Sequence, residues 1–333
     1  MTDYEADVLV LGGGVIGLTT AVCLAEAGIT VALAAAEPPA GTTSATAGAI
    51  WGPHLVGMDD RIGRWATETL DRWTELTHPD LGANELHGII HDVHGISATR
   101  KAGAAPPEFA SAAAELVPCP DDQVPAGYGA AWRMTATIVS MPGYLRYLER
   151  RFGRAGGATS FPARIARLDE ARALAPTARV IVNCTGTGAR ELVPDADVVP
   201  VRGQTVVVAN PGVTEFFIGT NPADPNDLTH LFPHGDVLVL GGTEVAGDWS
   251  REPDPATAER ILKDCTRVEP ALRGATVLEH RVGLRPSRSR VRLEAEARDG
   301  VTVVHNYGHG GSGVTLSWGC AEDAAALVLA ALG

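Results

Sequence analysis

Arginines at 281, 285, 288, 290 and 292, followed by glycines at 308, 310, 311 and 313, give this 333-residue chain a charged anchor beside a turn of bare backbone. Arg285 differs from its neighbours because Gly283-Leu284 precedes it and Pro286 follows, which restrains the backbone. A planar guanidinium on a restrained backbone suits bidentate recognition of a carboxylate. Arg288, Arg290 and Arg292 read instead as a solvated edge strand. The glycine turn separates a valine-rich alternating stretch, 301–305, from a run between Val314 and Leu332 that is apolar at helical spacing. A helix opening at Val314 would aim its first N–H groups and the positive end of its dipole into the turn, which suits an anion or a group that becomes anionic. His305 and His309 read as structural, held by hydrogen bonds within the turn.

A second glycine cluster lies near the start. An apolar run from Asp7 to Leu11 leads into Gly12-Gly13-Gly14-Val15-Ile16-Gly17, then a helical stretch from Leu18 to Ala27 and a second strand from Thr30 to Ala34. Strand, glycine turn, helix, strand is the context in which this spacing marks a dinucleotide site. Gly12 makes the tight turn, Gly14 lets a pyrophosphate approach the backbone, and Gly17 permits close packing of helix on strand. Glu37 is the nearby acid for ribose hydroxyls. Pyridine and flavin dinucleotides share this opening. The stretch Gly41-Thr-Thr43-Ser44 and Ala47-Gly48-Ala49-Ile50-Trp51 offers hydroxyls and bare backbone that would line an extended flavin, although alone it reads as a loop.

These residues need a frame. Ile62 to Leu76 is an amphipathic helix, 100–127 a proline-punctuated surface connection, and Met141 to Arg151 a second amphipathic helix. Val180 to Asn183 is a buried strand that ends in small residues at Gly186, while 203–208 and 237–242 are β-rich runs expected to pair antiparallel. The class is therefore α/β: a Rossmann-type dinucleotide-binding domain (1–58, 146–200 and 281–333) interleaved with an α+β substrate domain (59–145 and 201–280) built on an antiparallel sheet.

Composition narrows the function. A formal charge of -13 argues against nucleic acid and anionic membrane as partners. Five scattered cysteines with no Cys-x-x-Cys pair argue against a disulfide framework or a metal site and for a reducing compartment. With no signal-like amino terminus and no long apolar run, the expectation is a cytoplasmic protein.

Taken together, the motifs resemble the FAD-dependent D-amino-acid oxidase family along nearly the whole chain. They are the Gly12–Gly17 turn, Thr43-Ser44, Ala47-Gly48-Ala49 with Trp51, Val182-Asn-Cys-Thr-Gly186, Val201-Arg-Gly-Gln204, Gly241-Gly242-Thr243, Gly283-Leu-Arg285-Pro, and His305 through Gly319. The resemblance implies FAD as cofactor, held around Gly12, Gly14, Val15, Ile16, Gly17, Glu37, Thr43, Ser44, Gly48, Ala49, Gly186, Gly310, Gly313, Val314 and Thr315. It implies that Arg285 pairs with a substrate α-carboxylate and that the Gly311 carbonyl accepts from the α-amino group. The implied reaction is hydride transfer from the α carbon of a D-amino acid to FAD, giving a 2-oxo acid, ammonia and, with dioxygen, hydrogen peroxide. Where relatives place two tyrosines, His230 and Asn226 stand here, and an unperturbed His230 would change charge near pH 6.5. Acid-selective relatives tend to offer an arginine where this chain has Glu244, expected to be solvated. With no Arg or Lys between Asn210 and Glu244, and with Ile50, Trp51, Leu231 and Phe232 expected over the flavin, neutral D-amino acids are the expected substrates. Alternatives are a glycine, secondary-amine or specialised amine oxidase of the same fold, a nicotinamide dehydrogenase, and a non-catalytic flavin-binding module. A homodimer is compatible with the sequence but not specified by it.

Overall fold

The computed structural model describes residues 5–57, 59–78, 85–106, 114–224, 226–298 and 300–333. Its elements begin with β1 (Val8–Leu11), α1 (Val15–Glu26), β2 (Val31–Ala34), α2 (Asp60–Leu76), β3 (Ile90–Thr99), β4 (Ala114–Pro118) and β5 (Ala130–Val139). There follow α3 (Met141–Arg154), β6 (Ala158–Ser160), α4 (Leu168–Leu174), β7 (Val180–Asn183), α5 (Ala189–Leu192), β8 (Val199–Ala209) and β9 (Phe216–Thr220). The chain ends through β10 (Thr229–His234), β11 (Val237–Gly241), β12 (Val245–Ala246), α6 (Pro255–Val268), β13 (Val277–Ser287), β14 (Arg292–Arg298), β15 (Val301–Tyr307) and α7 (Ser317–Leu332).

A six-stranded sheet has the order β14-β15-β7-β1-β2-β6, parallel from β15 to β6 and closed by the antiparallel edge strand β14. The apolar runs seen in the sequence are its inner strands: β1, β2 and β7 are buried at every position, as expected for strands covered on both faces. One face packs under α1, α2, α3 and α7, the other under α4 and α5. α1 is apolar nearly all round because it is enclosed between the sheet and its neighbouring helices. Both glycine turns leave strands of this sheet and lead to helices, so they meet at its carboxyl edge, where open α/β sheets bind ligands.

The second sheet has nine strands. Its path is β12-β8-β11-β10-β9-β3-β5-β4, and β13 pairs along the other edge of β8. All its pairings are antiparallel except β3 with β9. Its alternation sends Leu231 and Leu240 to the α6 side, while Phe232 and Val239 face the other way. β13 crosses the division drawn at residue 281, because cross-strand pairing with β8 continues through Ser287. The proline-punctuated stretch includes a strand, β4, hydrogen-bonded to β5; its residues 107–113 lie outside the described residues. Arg288 and Arg292 are not solvated as expected: their side chains are only 16% and 17% exposed, paired with Asp195 and with Glu294 and Glu296. Among the described residues, no helix is long and apolar enough to cross a membrane.

Candidate active site

A cleft of about 620 Å³ runs between the two sheets. Every residue nominated to hold the cofactor or the substrate's carboxylate and amine lines it except Gly17, whereas Asn226, Leu231 and Glu244 do not. At the first turn, Gly12 has φ +117°, and a Cβ there would stand 2.3 Å from the carbonyl oxygen of Cys184, just past the end of β7. Gly17 lies behind it, where a Cβ would meet the Gly12 carbonyl at 1.9 Å. Neither position accepts a side chain. Ser44, far away in sequence, caps α1: its Oγ accepts from the Val15 N–H at 3.0 Å and sits 3.0 Å from where a Gly14 Cβ would be. Thr43 is also tied, its hydroxyl bridging the backbone N–H and carbonyl of Leu284. Glu37 is gripped by Arg251, a residue that sequence reasoning did not nominate.

The second turn differs from expectation at its end. α7 begins at Ser317 rather than Val314, because residues 313–316 form turns first and Leu316 N–H bonds to Ser312 O at 3.0 Å. The N–H groups of Gly313, Val314 and Thr315 make no hydrogen bond with a described residue, so donors still face the cleft there. Gly310 has φ +55°, and a Cβ would lie 1.8 Å from the Leu55 carbonyl oxygen. Gly311 donates to the His54 carbonyl at 3.1 Å, and Thr315 closes the loop by bonding both backbone groups of Gly52. Ala49 adopts φ +53°, a strained conformation for a residue with a Cβ. His309 is held within the turn by its backbone alone, its carbonyl accepting from the Ser312 N–H at 2.9 Å: the ring is buried, its Nε2 has no partner among the described residues, and burial pulls its pKa down to about 3. His305 does fit a structural role, its Nδ1 accepting from the Asn183 side-chain amide nitrogen at 3.4 Å, with Nε2 3.1 Å from Glu296 but poorly aligned for a hydrogen bond.

Arg285 enters from β13. Its guanidinium lies across Gly203 on β8, and Nη1 donates to the Thr243 carbonyl at 3.0 Å. Burial lowers its pKa from the usual arginine range, opposed by the nearby Glu244 carboxylate; it remains a cation at any ordinary pH. His230, on β10, stacks on Phe232 at 4.7 Å between ring centres. Burial, then the charges of Arg285 and His54, pull its pKa to about 3, so it does not titrate near 6.5 as an unperturbed ring would. Its Nε2 is buried without a partner among the described residues. Asn226 is turned to the backbone, accepting from the Glu244 N–H at 3.3 Å.

Glu244 is not solvated. Its side chain is 10% exposed and meets His54 Nε2 at 2.6 Å. Burial pushes its carboxyl up, yet the His54 hydrogen bond and the charges of His54 and Arg285 outweigh that and hold it below the ordinary range. Ile50, Trp51 and Phe232 line the cleft as expected, whereas Leu231, one residue out of phase on β10, faces α6 instead.

A dinucleotide fits this cleft on two grounds. Gly12, Gly48, Gly203, Gly283, Gly310 and Gly311 stand where a Cβ would collide, so much of the cradle is bare by necessity, and it contains unpaired donors at 313–315 and orphaned ring nitrogens at His230 and His309. Buried polar groups left without partners mark a place for a polar ligand.

Comparison with known proteins agrees with this geometry. Residues 7–327 match the family model described as FAD dependent oxidoreductase. A D-amino-acid oxidase of Rubrobacter xylanophilus is 44% identical over 98% of this chain and 97% of its own length. A human D-aspartate oxidase is 34% identical over 97% of this chain and 94% of its own. Among solved structures, glycine oxidase from Geobacillus kaustophilus superposes with a TM-score of 0.79 at 18% identity, covering 98% of this chain and 95% of that one, which speaks to the fold alone.

Proposed function

The chain belongs to the family of FAD-dependent oxidoreductases, and on that premise we propose that it oxidatively deaminates neutral D-amino acids to 2-oxo acids and ammonia. FAD, when bound, supplies the two-electron acceptor, and dioxygen restores it with release of hydrogen peroxide. The observation that carries the substrate reading is the desolvated guanidinium of Arg285 laid on Gly203, facing the same cleft as the Gly310–Thr315 turn.

Each residue then has a definite task. Arg285 takes the α-carboxylate through its fork, and His230 adds one hydrogen bond in the tautomer that protonates Nε2. The Gly311 carbonyl accepts from the amine. With three points fixed, the Cα hydrogen has one direction to face, so positioning replaces a general base, and none is assigned. The N–H groups at 313–315 supply fixed donors for negative charge that develops on the acceptor side. Gly12, Gly14, Val15, Ile16, Glu37, Thr43, Ser44, Gly48, Ala49 and Gly186 would hold the remainder of the dinucleotide.

Selectivity follows from what surrounds the side chain. Ile50, Trp51 and Phe232 are apolar, and Glu244, whose charge reaches Arg285, is already matched by His54. An acidic side chain buried here would be unpaired and cost several kcal/mol, whereas an aliphatic or aromatic one gains about 1.5 to 3 kcal/mol. The test is the visible spectrum of the purified protein, followed by anaerobic addition of D- and L-amino acids. A flavin spectrum bleached by neutral D-amino acids and not by their L-enantiomers is expected. A colourless protein, or bleaching by glycine and N-methyl amines alone, overturns the reading.

A further inference from the structure

The Val201-Arg-Gly-Gln204 stretch has so far been given a task only at Gly203. Its neighbours point the opposite way along β8. Arg202 is 5% exposed and Gln204 fully buried. Arg202 donates through Nε to the Ser250 carbonyl at 3.0 Å and through Nη2 to the Glu252 carbonyl at 2.6 Å. Gln204 donates to the Asp254 carbonyl at 2.8 Å and accepts from the Asp254 N–H at 2.9 Å. These bonds tie the backbone immediately before and after Arg251. Arg251 itself reaches away from the nine-stranded sheet to the end of β2, where its two terminal nitrogens meet both carboxylate oxygens of Glu37, the second at 3.0 Å, and one of them also meets the Gly41 carbonyl at 2.9 Å. Both residues line the cleft.

We propose that Arg251 is a cofactor-positioning residue that holds the Glu37 carboxylate for the ribose hydroxyls of the adenosine half of FAD. The pair is half-exposed, at 51% and 40%, too open to add much to fold stability as a surface ion pair. Its geometry is better suited to presentation. A fork takes one lone pair from each carboxylate oxygen and leaves one on each, which is the pattern that a pair of neighbouring hydroxyls requires. Charge points the same way. The backbone carbonyl of Glu37 stands only 3.3 Å from a Cβ built at Gly13, so the residue adjoins the turn expected to take a pyrophosphate. An unmatched carboxylate beside two phosphate charges would repel them, and Arg251 cancels it. The cofactor's adenosine end would thus be completed from the substrate-side sheet, through a strut of Arg202 and Gln204.

This rests on the FAD assignment and not on the substrate assignment. Flavin-stripped full-length protein is titrated with FAD, and ADP and 2′-deoxy-ADP are compared as competitors, for the parent, Arg251→Ala, Arg251→Lys and Glu37→Gln, with circular dichroism on each. The parent should prefer ADP over 2′-deoxy-ADP by at least about tenfold. Arg251→Ala should bring that ratio toward one and weaken FAD by about tenfold. Arg251→Lys should recover only part of each, because a point charge does not reproduce the fork. Arg251→Ala added to Glu37→Gln should cost little more than Glu37→Gln alone. A parent indifferent to the 2′-hydroxyl, a parent-like ratio in both Arg251 variants, or tighter ADP binding in Arg251→Ala overturns the proposal. A wrong substrate assignment would leave all these readings where they are.

Discussion

The guanidinium of Arg285 lies directly on Gly203: a Cβ built at Gly203 would stand 2.5 Å from Nη1 and 2.7 Å from Cζ. The two are not cross-strand partners, since Arg285 pairs with Val201 and Gly203 with Gly283, so the arginine leans diagonally over the next same-face position. Removing one side chain from β8 makes the bed on which the anchor is desolvated.

The fork should carry substrate binding. Arg285→Ala should retain flavin and lose roughly 3 to 5 kcal/mol of kcat/KM, much of it from the carboxylate left unpaired, and Arg285→Lys should recover only part. Gly203→Ala makes a finer test. The atoms it displaces are the far end of a flexible side chain, so the fold should survive while KM rises. A Gly203→Ala enzyme with parental KM, or an Arg285→Ala protein that turns over normally but loses FAD, would refute this arrangement.

Two buried histidines and one half-buried histidine are held neutral: the pKa of His230 and of His309 is pulled to about 3 and that of His234 to about 4, in each case chiefly by desolvation. Their folded pKa values lie below the unfolded value near 6.5, so the unfolded chain takes up protons that the folded one refuses. The stability they contribute is complete above pH 6.5 and is lost as pH falls toward 4 and then 3. Each proton taken up steepens the loss by about 1.4 kcal/mol per pH unit. Urea unfolding of the flavin-free protein at pH 7, 6 and 5 should show this, and His309→Gln should flatten the slope by about one proton. An unchanged slope would mean that His309 is not buried neutral.

Peroxide release across a panel should place D-alanine, D-valine or D-methionine above D-aspartate by at least about tenfold, roughly 1.4 kcal/mol. The apolar wall of Ile50, Trp51 and Phe232, with Glu244 nearby, is the reason. D-aspartate as the best substrate would show that this reading of the pocket is wrong.

FAD should be held without a covalent bond. The one cleft cysteine among the described residues, Cys184, has its thiol pushed up to about 12 by burial, and the Tyr307 hydroxyl is occupied between Asp195 and Arg292. Acid precipitation should release all the yellow colour. Colour left in the pellet would point to the open ring nitrogen of His230 or His309.

Both glycine turns were legible from the sequence because collisions fix them: Gly12, Gly17 and Gly310 stand where backbone oxygens leave no room, and such constraints show as residue type. The β-strands of the inner sheet were legible as unbroken apolar runs. Pairings between distant segments were not. Nothing in the sequence near Glu37 announces Arg251, and His54 gives no sign that it will meet Glu244, because both contacts arise from how the two sheets are set against each other. Leu231 was misplaced because an apolar pair of residues does not say which member faces the ligand; the pleat of β10 decides. Gly203 did carry a signal, since glycine inside a strand often marks a close approach.

The position of β15 in the strand order sets a timetable for the chain. β7 finds its second neighbour only in residues 301–307, so until those are made the growing sheet keeps a bare edge beside β7, a template for pairing with other chains. The glycine turn that follows β15 is also made late. A product truncated before residue 301 would expose an adhesive edge as well as lack half of its site.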